Sequence, residues 1–228
     1  YGVILCNVNN FYLDLAYTPH KDEPGLNWGG YVDQFASFNM LPYNIYCSNR
    51  TDMAGNPKNL KKAHQGKVAL QPQARPRIKG IQAQLFAETL GSFEQAQYYI
   101  FPKIFGLVER GWNATPDWSP TPTDDKEALY EEARAIYNAK IAAVEMPRLA
   151  HEGVNFRIPQ PGVQIVDGKL YANSPIPQAE IRYTTDGSEP TAESPRWEEP
   201  LDCQAQVVKA RLFYLGKESL TSTFVNND

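Results

Sequence analysis

Two stretches of the chain, 3–14 and 78–88, share one pattern, in which an apolar run leads into an aromatic residue and a carboxylate. A helix-like pattern follows each stretch after a loop. The first run, at 3–8, alternates little, which is typical of a strand that is covered on both faces in a parallel sheet. We therefore predict strands at about 3–8 and 78–85 that begin two successive units of a parallel α/β barrel.

The residues that follow each predicted strand are candidates for a functional site, because parallel barrels carry their chemistry at the carboxyl ends of the strands. Tyr12 and Asp14 follow the first strand, and Phe86 and Glu88 follow the second. Trp28 lies in a loop before the first predicted helix. Ordinary structural roles remain open, since the two acids could stabilise helix N-termini and the aromatic residues could serve packing alone.

Composition argues against several classes of partner. No apolar run among the 228 residues approaches the roughly 20 that span a bilayer. Nucleic acid is not an expected partner, because 22 Lys and Arg are scattered among 26 Asp and Glu, which gives a net charge of −4. The three cysteines, Cys6, Cys47 and Cys203, lack metal-ligand spacing, so we predict free thiols and no metal site.

Helical segments are predicted after both strands. The first helix should lie at about 31–38, followed by irregular structure at 49–77. A second helix should begin at Ser92, which starts a Ser-x-x-Gln capping sequence. Pro102 should kink this second helix or divide it in two.

A longer amphipathic helix is predicted at about 124–145, after a proline-rich connector. Its inner face would be formed by residues near helical spacing, namely Leu129, Ala133, Ile136, Tyr137 and Val144. Beyond this helix, short β-rich runs alternate with turn dipeptides. We place a domain boundary near Gly153, with a barrel part at 1–153 and a β domain at 154–228.

The second domain is predicted to be a small antiparallel β-sandwich. Its turns would include Asp167-Gly168, Asp186-Gly187 and Leu215-Gly216, and its strands would lie at 163–166, 170–173, 181–184, 207–214 and 221–225. The expected fold class is therefore α/β plus all-β, with part of a parallel barrel, a long helix and a sandwich.

Several motifs resemble family 20 of the glycoside hydrolases, the β-N-acetylhexosaminidases. The matching pieces are Tyr12-Leu-Asp14, Trp28-Gly-Gly30, Gly80-Ile-Gln-Ala-Gln-Leu-Phe-Ala-Glu-Thr89 and Phe101-Pro-Lys-Ile-Phe-Gly-Leu-Val-Glu-Arg-Gly-Trp112. Over about 1–115, their order resembles the last two βα units, the last quarter, of that family's (β/α)8 TIM barrel. The second domain is similar to the β-sandwich appended to chitobiases, through Ile181-Arg-Tyr-Thr-Thr-Asp-Gly-Ser-Glu-Pro-Thr191 and Val207-Val-Lys-Ala-Arg-Leu-Phe213.

The resemblance implies a substrate-assisted retaining hydrolase, in which the 2-acetamido oxygen of the sugar attacks the anomeric carbon. Tyr12 would be the catalytic residue whose hydroxyl donates to the acetamide oxygen. Asp14 and Glu88 would bind sugar hydroxyls, and Trp28 would provide an indole N–H donor at the far rim of the subsite. Phe86 would form one wall of the acetamide pocket, where the family usually has Trp. The implied substrate is a terminal N-acetylglucosamine or N-acetylgalactosamine glycoside, and no cofactor is implied.

The resemblance also implies that part of the catalytic machinery lies on other strands. The family's His-x-Gly-Gly-Asp-Glu motif, whose Glu is the general acid and base, does not occur in this sequence. We therefore expect a C-terminal fragment that is inactive alone and that could self-associate through the open edges of its partial barrel. The family suggests a periplasmic or extracellular location.

Two alternatives stay open. The chain could be a non-catalytic glycan-binding or scaffold module, in which the barrel part only carries the sandwich. It could also belong to another barrel glycosidase in which Asp14 or Glu88 is the catalytic acid. In a retaining enzyme of that kind, the two carboxyl groups would lie about 5–5.5 Å apart.

Overall fold

The computed structural model describes residues 1–226. In its first part, β1 (Val3–Leu5) pairs in parallel with β2 (Ile78–Ile81). The register aligns Val3 with Ile78 and Ile4 with Gly80, and it shifts between these two pairs. Parallel neighbours need a long crossover between them, and here the crossover contains helices. The parallel pairing predicted from the two similar stretches is therefore present.

Both strands are shorter than predicted, and β1 is not buried. Val3 is 47% exposed and Ile4 is 58% exposed. β1 stops early because the chain soon turns into a helix, α1 (Val8–Phe11). The prediction of a strand covered on both faces is wrong within the described residues 1–226, because there β1 pairs with β2 alone and the two form a two-stranded sheet.

The crossover is helical only in short pieces. α2 (Gln34–Phe38) starts later than predicted, because Asp33 caps it by accepting a hydrogen bond from the N–H of Ala36 at 2.7 Å. The region at 49–77, predicted to be irregular, is largely without regular structure. The short helices in and near it are α3 (Leu60–Ala63) and 3₁₀ helices at Ile45–Cys47 and Pro72–Arg77.

The helical segment after β2 is divided at Pro102, as predicted. α4 (Phe93–Ile100) is capped by Ser92, whose hydroxyl accepts from the N–H of Gln95 at 3.1 Å. α5 (Ile104–Trp112) follows after the break. Proline has no N–H to donate and its ring clashes with the preceding turn, so one helix does not run through this position.

α2 and α5 pack together closely at Gly106. A Cβ atom there would overlap the backbone nitrogen of Phe38 and would lie 2.6 Å from the carbonyl carbon of Ser37. Glycine is the residue that allows two helix backbones to approach so closely. The core of this part also contains buried apolar side chains, among them Phe11, Leu13, Leu15, Val32, Met40, Leu41 and Tyr99.

The long helical segment extends further than predicted and changes its winding. α6 (Glu127–Lys140) passes into a π-helical turn at Ile141–Glu145, which leads into α7 (Met146–His151). A π turn widens the helix by one residue. The segment thereby ends six residues beyond the predicted limit of 145, at His151.

The buried face of this segment differs from the predicted one. Leu129, Ile136 and Val144 were expected to face inward, yet they are 46%, 51% and 56% exposed. Tyr137 is buried as predicted, together with Tyr130. The packing partner decides the face, because the ring of Tyr137 stacks on that of Phe38 with the centroids 4.4 Å apart.

The chain divides into two compact units. The first comprises Tyr1–Tyr137 and Gly153–Phe156, and the second comprises Asn138–Glu152 and Arg157–Asp228. α6 therefore begins in the first unit and ends in the second. The domain boundary near Gly153 stays a prediction.

The second unit contains two antiparallel sheets. Its strands are β3 (Gly162–Val166), β4 (Lys169–Asn173), β5 (Glu180–Thr184), β6 (Arg196–Trp197), β7 (Leu201–Asp202), β8 (Val207–Tyr214), β9 (Lys217–Glu218) and β10 (Ser222–Val225). One sheet has the order β10-β8-β5-β6, with β9 also on β8, and the other has the order β3-β4-β7. The five longer strands lie where the sequence predicts them. Leu170, Cys203 and Val208 form a buried cluster of this unit.

Two of the predicted hairpin turns have the backbone that their position requires. Asp167 and Gly168 have φ values of 50° and 71°, and Leu215 and Gly216 have values of 52° and 71°. Positive φ at both central residues matches the twist of a two-residue hairpin. Leucine rarely adopts this conformation, so Leu215 stores strain in the turn.

Within residues 1–226, no helix is long and apolar enough to cross a membrane. The same residues contain no group of three or more His, Cys, Asp or Glu side chains that could hold a metal ion. All three cysteines are free thiols, as the sequence predicts.

Candidate functional site

The two candidate stretches are joined by backbone hydrogen bonds that continue beyond the strands. The N–H of Gln84 donates to the carbonyl of Phe11 at 2.9 Å, and the N–H of Leu13 donates back to Gln84 at 2.8 Å. Tyr12 thereby forms an isolated parallel bridge with Gln84. This ladder brings the residues after β1 beside those after β2.

Asp14 is held by the second stretch. Its side chain is buried, with 3% of the residue exposed, and Oδ1 accepts a hydrogen bond from the backbone N–H of Phe86 at 3.2 Å. No other hydrogen bond or ion pair to Asp14 is present among residues 1–226. The second carboxylate oxygen can therefore accept a hydrogen bond from a ligand.

The rings of Tyr12, Trp28 and Phe86 form an aromatic cluster with Tyr12 at its centre. The ring centroid of Tyr12 lies 5.1 Å from that of Phe86 and 5.8 Å from that of Trp28, and both pairs are edge-to-face. Tyr12 is half-buried, while Phe86 is 42% exposed and Trp28 is 59% exposed. Edge-to-face packing stabilises such rings relative to one another. Their exposed surface forms an apolar wall that a sugar ring could contact.

The polar ends of this cluster face no partner within the described part of the chain. Neither the Tyr12 hydroxyl nor the Trp28 indole N–H is hydrogen-bonded to a residue in 1–226. Glu88 lies in a turn two residues beyond Phe86 and is exposed. The structure thus joins Tyr12, Asp14, Trp28 and Phe86 by direct contacts, whereas Glu88 has no hydrogen bond or ion pair to any of these four residues.

The sequence patterns did not predict a role for Lys103, which contacts the backbone on both sides of Asp14. It is fully buried, and its Nζ donates to the carbonyl of Leu13 at 2.8 Å and to that of Leu15 at 2.6 Å. The ammonium also lies 3.7 Å from the ring centroid of Tyr17. A lysine inside an otherwise apolar run was the available signal, because lysine is rarely buried without strong partners.

A separate polar cavity of about 690 Å³ lies elsewhere in the first unit. In its wall, Arg50 donates to Glu127 at 2.6 Å and lies over the ring of Tyr130, 3.5 Å from the centroid. Arg134 and Glu131 form a second ion pair at 3.2 Å. The five predicted site residues are not among the residues that line this cavity. The cavity and the aromatic cluster are therefore different features.

Comparison with known proteins assigns both parts of the sequence. The model of the glycosyl hydrolase family 20 catalytic domain matches residues 1–115. The model of the chitobiase/beta-hexosaminidase C-terminal domain matches residues 145–219.

Relatives are found among bacterial proteins. N,N'-diacetylchitobiase of Vibrio harveyi is 28% identical over 201 residues, which are 82% of this chain and 22% of that protein. Beta-hexosaminidase of Vibrio vulnificus is 22% identical over 210 residues, with 82% and 23% covered. A structure of Streptomyces plicatus N-acetyl-beta-hexosaminidase in complex with Thio-NAglucal is 28% identical, with a TM-score of 0.41 over 68% of this chain and 23% of that chain.

The chain spans less than a quarter of the length of the curated relatives it matches. The catalytic-domain match extends over residues 1–115, just over half of the 228 residues, and it contains all five candidate site residues. The chain therefore belongs to glycosyl hydrolase family 20.

Proposed function

We propose that the intact protein is a β-N-acetylhexosaminidase that releases terminal N-acetylglucosamine or N-acetylgalactosamine from glycans. Family membership and the names of the Vibrio relatives support this function. The observation that carries it is the contact of Tyr12 with Phe86 and Trp28 beside the buried Asp14. Aromatic faces with an adjacent hydrogen-bond acceptor suit a neutral, hydroxyl-rich ring better than they suit a charged ligand.

In the proposed mechanism, the residues of this chain hold and orient the substrate. The acetamido oxygen attacks the anomeric carbon, so the protein must fix the acetamide near its line of attack. Tyr12 donates a hydrogen bond from its hydroxyl to that oxygen, Phe86 forms one wall of the acetamide pocket, and Trp28 offers its indole N–H at the far rim of the subsite. The carboxylates of Asp14 and Glu88 accept hydrogen bonds from sugar hydroxyls.

Proton transfer is assigned to a group outside this chain. Asp14 is buried and already accepts a hydrogen bond from the backbone of Phe86, whereas Glu88 is exposed and has no hydrogen bond to Asp14. Both properties favour binding roles over the alternative in which the two form an acid and nucleophile pair. Purified 1–228 should show no turnover of a chromogenic N-acetylglucosaminide.

Tyr12→Phe in the intact protein tests the proposal. Removal of the hydroxyl should lower kcat/KM for an N-acetylglucosaminide by about 100-fold, because the nucleophile is then poorly oriented. Tyr171→Phe, at a 38% exposed tyrosine of the second unit, is the matched control and should have no effect. Equal activity of the Tyr12 variant and wild type would contradict the assignment, and an inactive wild type would contradict the function.

We further propose that the first unit is about the last quarter of a (β/α)8 barrel, that the sandwich follows from about 154, and that the protein acts in the periplasm or outside the cell. The parallel pairing of β1 with β2 and the family match support the barrel. The two antiparallel sheets support the sandwich.

A further inference from the structure

We propose that Lys103 is a positioning residue that fixes the backbone carrying Tyr12 and Asp14, and so sets the geometry of sugar binding. The inference rests on the proposed function, because it assigns Lys103 to the same site. Lys103 lies directly before α5.

The ammonium binds the loop on both sides of Asp14. It donates hydrogen bonds of 2.8 Å and 2.6 Å to the carbonyls of Leu13 and Leu15, the residues before and after Asp14. Both carbonyls must point to one nitrogen, which constrains the peptide groups on each side of the Asp14 Cα. The two hydrogen bonds therefore also restrict the direction of the Asp14 side chain.

The segment that Lys103 holds is also joined to the loop containing Trp28, through backbone hydrogen bonds. The N–H of Ala16 donates to the carbonyl of Leu26 at 2.8 Å, and the N–H of Val32 donates to the carbonyl of Ala16 at 3.0 Å. Trp28 lies between these two connections in the sequence. Movement of the segment after Asp14 would thus shift the Trp28 loop as well.

The burial of Lys103 makes movement of the 12–17 loop energetically costly. Lys103 is 0% exposed, and a buried ammonium is costly unless hydrogen bonds and favourable charge contacts replace its water. The carbonyls of Leu13 and Leu15 and the ring of Tyr17, 3.7 Å from Nζ, supply part of that replacement. If the loop moved, the cation would lose two charge-assisted hydrogen bonds at once.

A small displacement would matter at the site. The bond from the Phe86 N–H to Oδ1 of Asp14 is 3.2 Å, at the long end of the normal range. A shift of about 1 Å would break it, and a misplacement of that size costs on the order of 100-fold in rate. Lys103 thus has an effect on chemistry without touching the substrate.

The chain offers a matched control in the same helical segment. Arg110 is also a buried cation, 1% exposed, and it packs on Phe38 and Trp118 with its guanidinium carbon 5.0 and 5.1 Å from their ring centroids. Its ion pair is with the neighbouring Glu109 at 3.6 Å. Arg110 has no such contact with the 12–17 loop, so its removal should affect stability alone.

The experiment compares Lys103→Met and Arg110→Met in the intact protein, at a temperature where both variants are folded. Lys103→Met should lower kcat/KM by about 20- to 100-fold, whereas Arg110→Met should stay within about twofold of wild type. In the Asp14→Asn background, Lys103→Met should cost less than about threefold, because the two residues act in series.

Hydrogen exchange supplies a readout that does not depend on activity. The amides of Leu13, Leu15 and Ala16 are hydrogen-bonded in the structure. Exchange of the 12–17 segment should be about tenfold faster in Lys103→Met than in Arg110→Met. Exchange does not depend on which reaction the wild type catalyses. A failure of the proposed function can therefore be told apart from a failure of the role proposed for Lys103.

Three outcomes would overturn the proposal: wild-type kcat/KM in folded Lys103→Met, an effect that adds fully to that of Asp14→Asn, or equal exchange of 12–17 in both variants. If Lys103→Met does not fold, Lys103→Arg is measured in the same way. Because Arg keeps the donors, it should recover the protection of 12–17 and most of the activity. Loss of both in folded Lys103→Arg would also reject the role.

Discussion

The backbone N–H of Phe86 donates to Oδ1 of Asp14 at 3.2 Å, across 72 positions of sequence. The carboxylate that follows the first strand is therefore fixed by the segment that follows the second strand. Because the donor belongs to the backbone, the identity of the side chain at 86 does not affect this bond. The ring of Phe86 and its amide can thus be tested separately.

Substitutions at Phe86 in the intact protein should change substrate binding while Asp14 stays in place. Phe86→Ala removes one wall of the aromatic cluster and should raise KM for an N-acetylglucosaminide by about tenfold. Phe86→Trp adds apolar area and an N–H donor, and should lower KM. Steady-state kinetics measure both, and an unchanged KM in the Ala variant would rule out a wall at this position.

Gly106→Ala should destabilise the first unit, because the added Cβ would overlap the backbone of Phe38. Overpacking of this kind lowers the free energy of unfolding by about 1–3 kcal/mol, and backbone contact favours the upper end. The control is Gly111→Ala in the same helix, where a Cβ would meet no atom within 4 Å. That change should raise stability by about 0.5–1 kcal/mol. Urea unfolding of the chain distinguishes the two, and equal effects would argue against the close helix contact.

Leu215→Asn should stabilise the second unit. Leu215 has a φ of 52° and is 40% exposed, so the change relieves strain and removes little buried area. Asparagine tolerates positive φ in hairpin turns, and the gain should be about 0.5–1 kcal/mol. Asp167→Asn, at a φ of 50° in the equivalent turn, should change little, because aspartate already tolerates this backbone. A lower melting temperature for Leu215→Asn would contradict the strain.

Alkaline pH should weaken the fold through Tyr130. Burial raises the pKa of Tyr130 to about 12, although nearby Arg50 and Arg134 act in the opposite direction. Between about pH 10 and 12, the unfolded chain loses a proton that the folded chain keeps, so this stability is complete below pH 10 and falls as pH rises. The slope is at most about 1.4 kcal/mol per pH unit for one tyrosine.

Tyr130→Phe should therefore make the free energy of unfolding fall less steeply between pH 10 and 11.5, as measured by urea titration at a series of pH values. Burial lowers the pKa of Arg110 to about 10, which adds stability over the same pH window, so the informative quantity is the difference between variant and wild type. Identical slopes would show that Tyr130 ionises equally in both states.

The exposed β1 strand should promote self-association of the isolated chain. Ile4 is 58% exposed in a two-stranded sheet, and such an apolar edge is a surface for pairing with a second copy. Light scattering should show a concentration-dependent dimer, and Ile4→Lys should shift it toward monomer. Val225→Lys, at a 52% exposed position of β10, is the control. A monodisperse wild-type monomer at all concentrations would exclude the pairing.

Local patterns were sufficient to predict most strands and turns. The dipeptides at 167–168 and 215–216 form the predicted hairpins, and the long strand at Val207–Tyr214 has the predicted bounds. Ser92 and Pro102 also act as predicted, because capping and helix breaking depend on residues close in sequence. Asp14 contacts the backbone of Phe86, although α1 separates Asp14 from the end of β1.

The features that were missed depend on distant partners. In α6, Leu129 and Ile136 have helical spacing, yet they are exposed, because the buried face is the one on which Tyr137 stacks against Phe38. Nothing near α6 in the sequence specifies that partner. Lys103 was missed for the same reason, since its acceptors at Leu13 and Leu15 lie about 90 residues earlier.

The ladder from Leu5 to Leu13 has a consequence for folding. It pairs with 82–84 through bonds that include Gln82 to Leu5 at 2.9 Å, so the site forms only when the register of the two segments is correct. Closing so long a loop costs entropy before any stabilising contact forms. This pairing is therefore a slow, non-local step in folding. A slip by one residue would keep the strands paired but bring a different amide to Asp14. Catalytic competence of the intact protein would then report whether the chain has folded in register, and misaligned molecules would be compact but inactive.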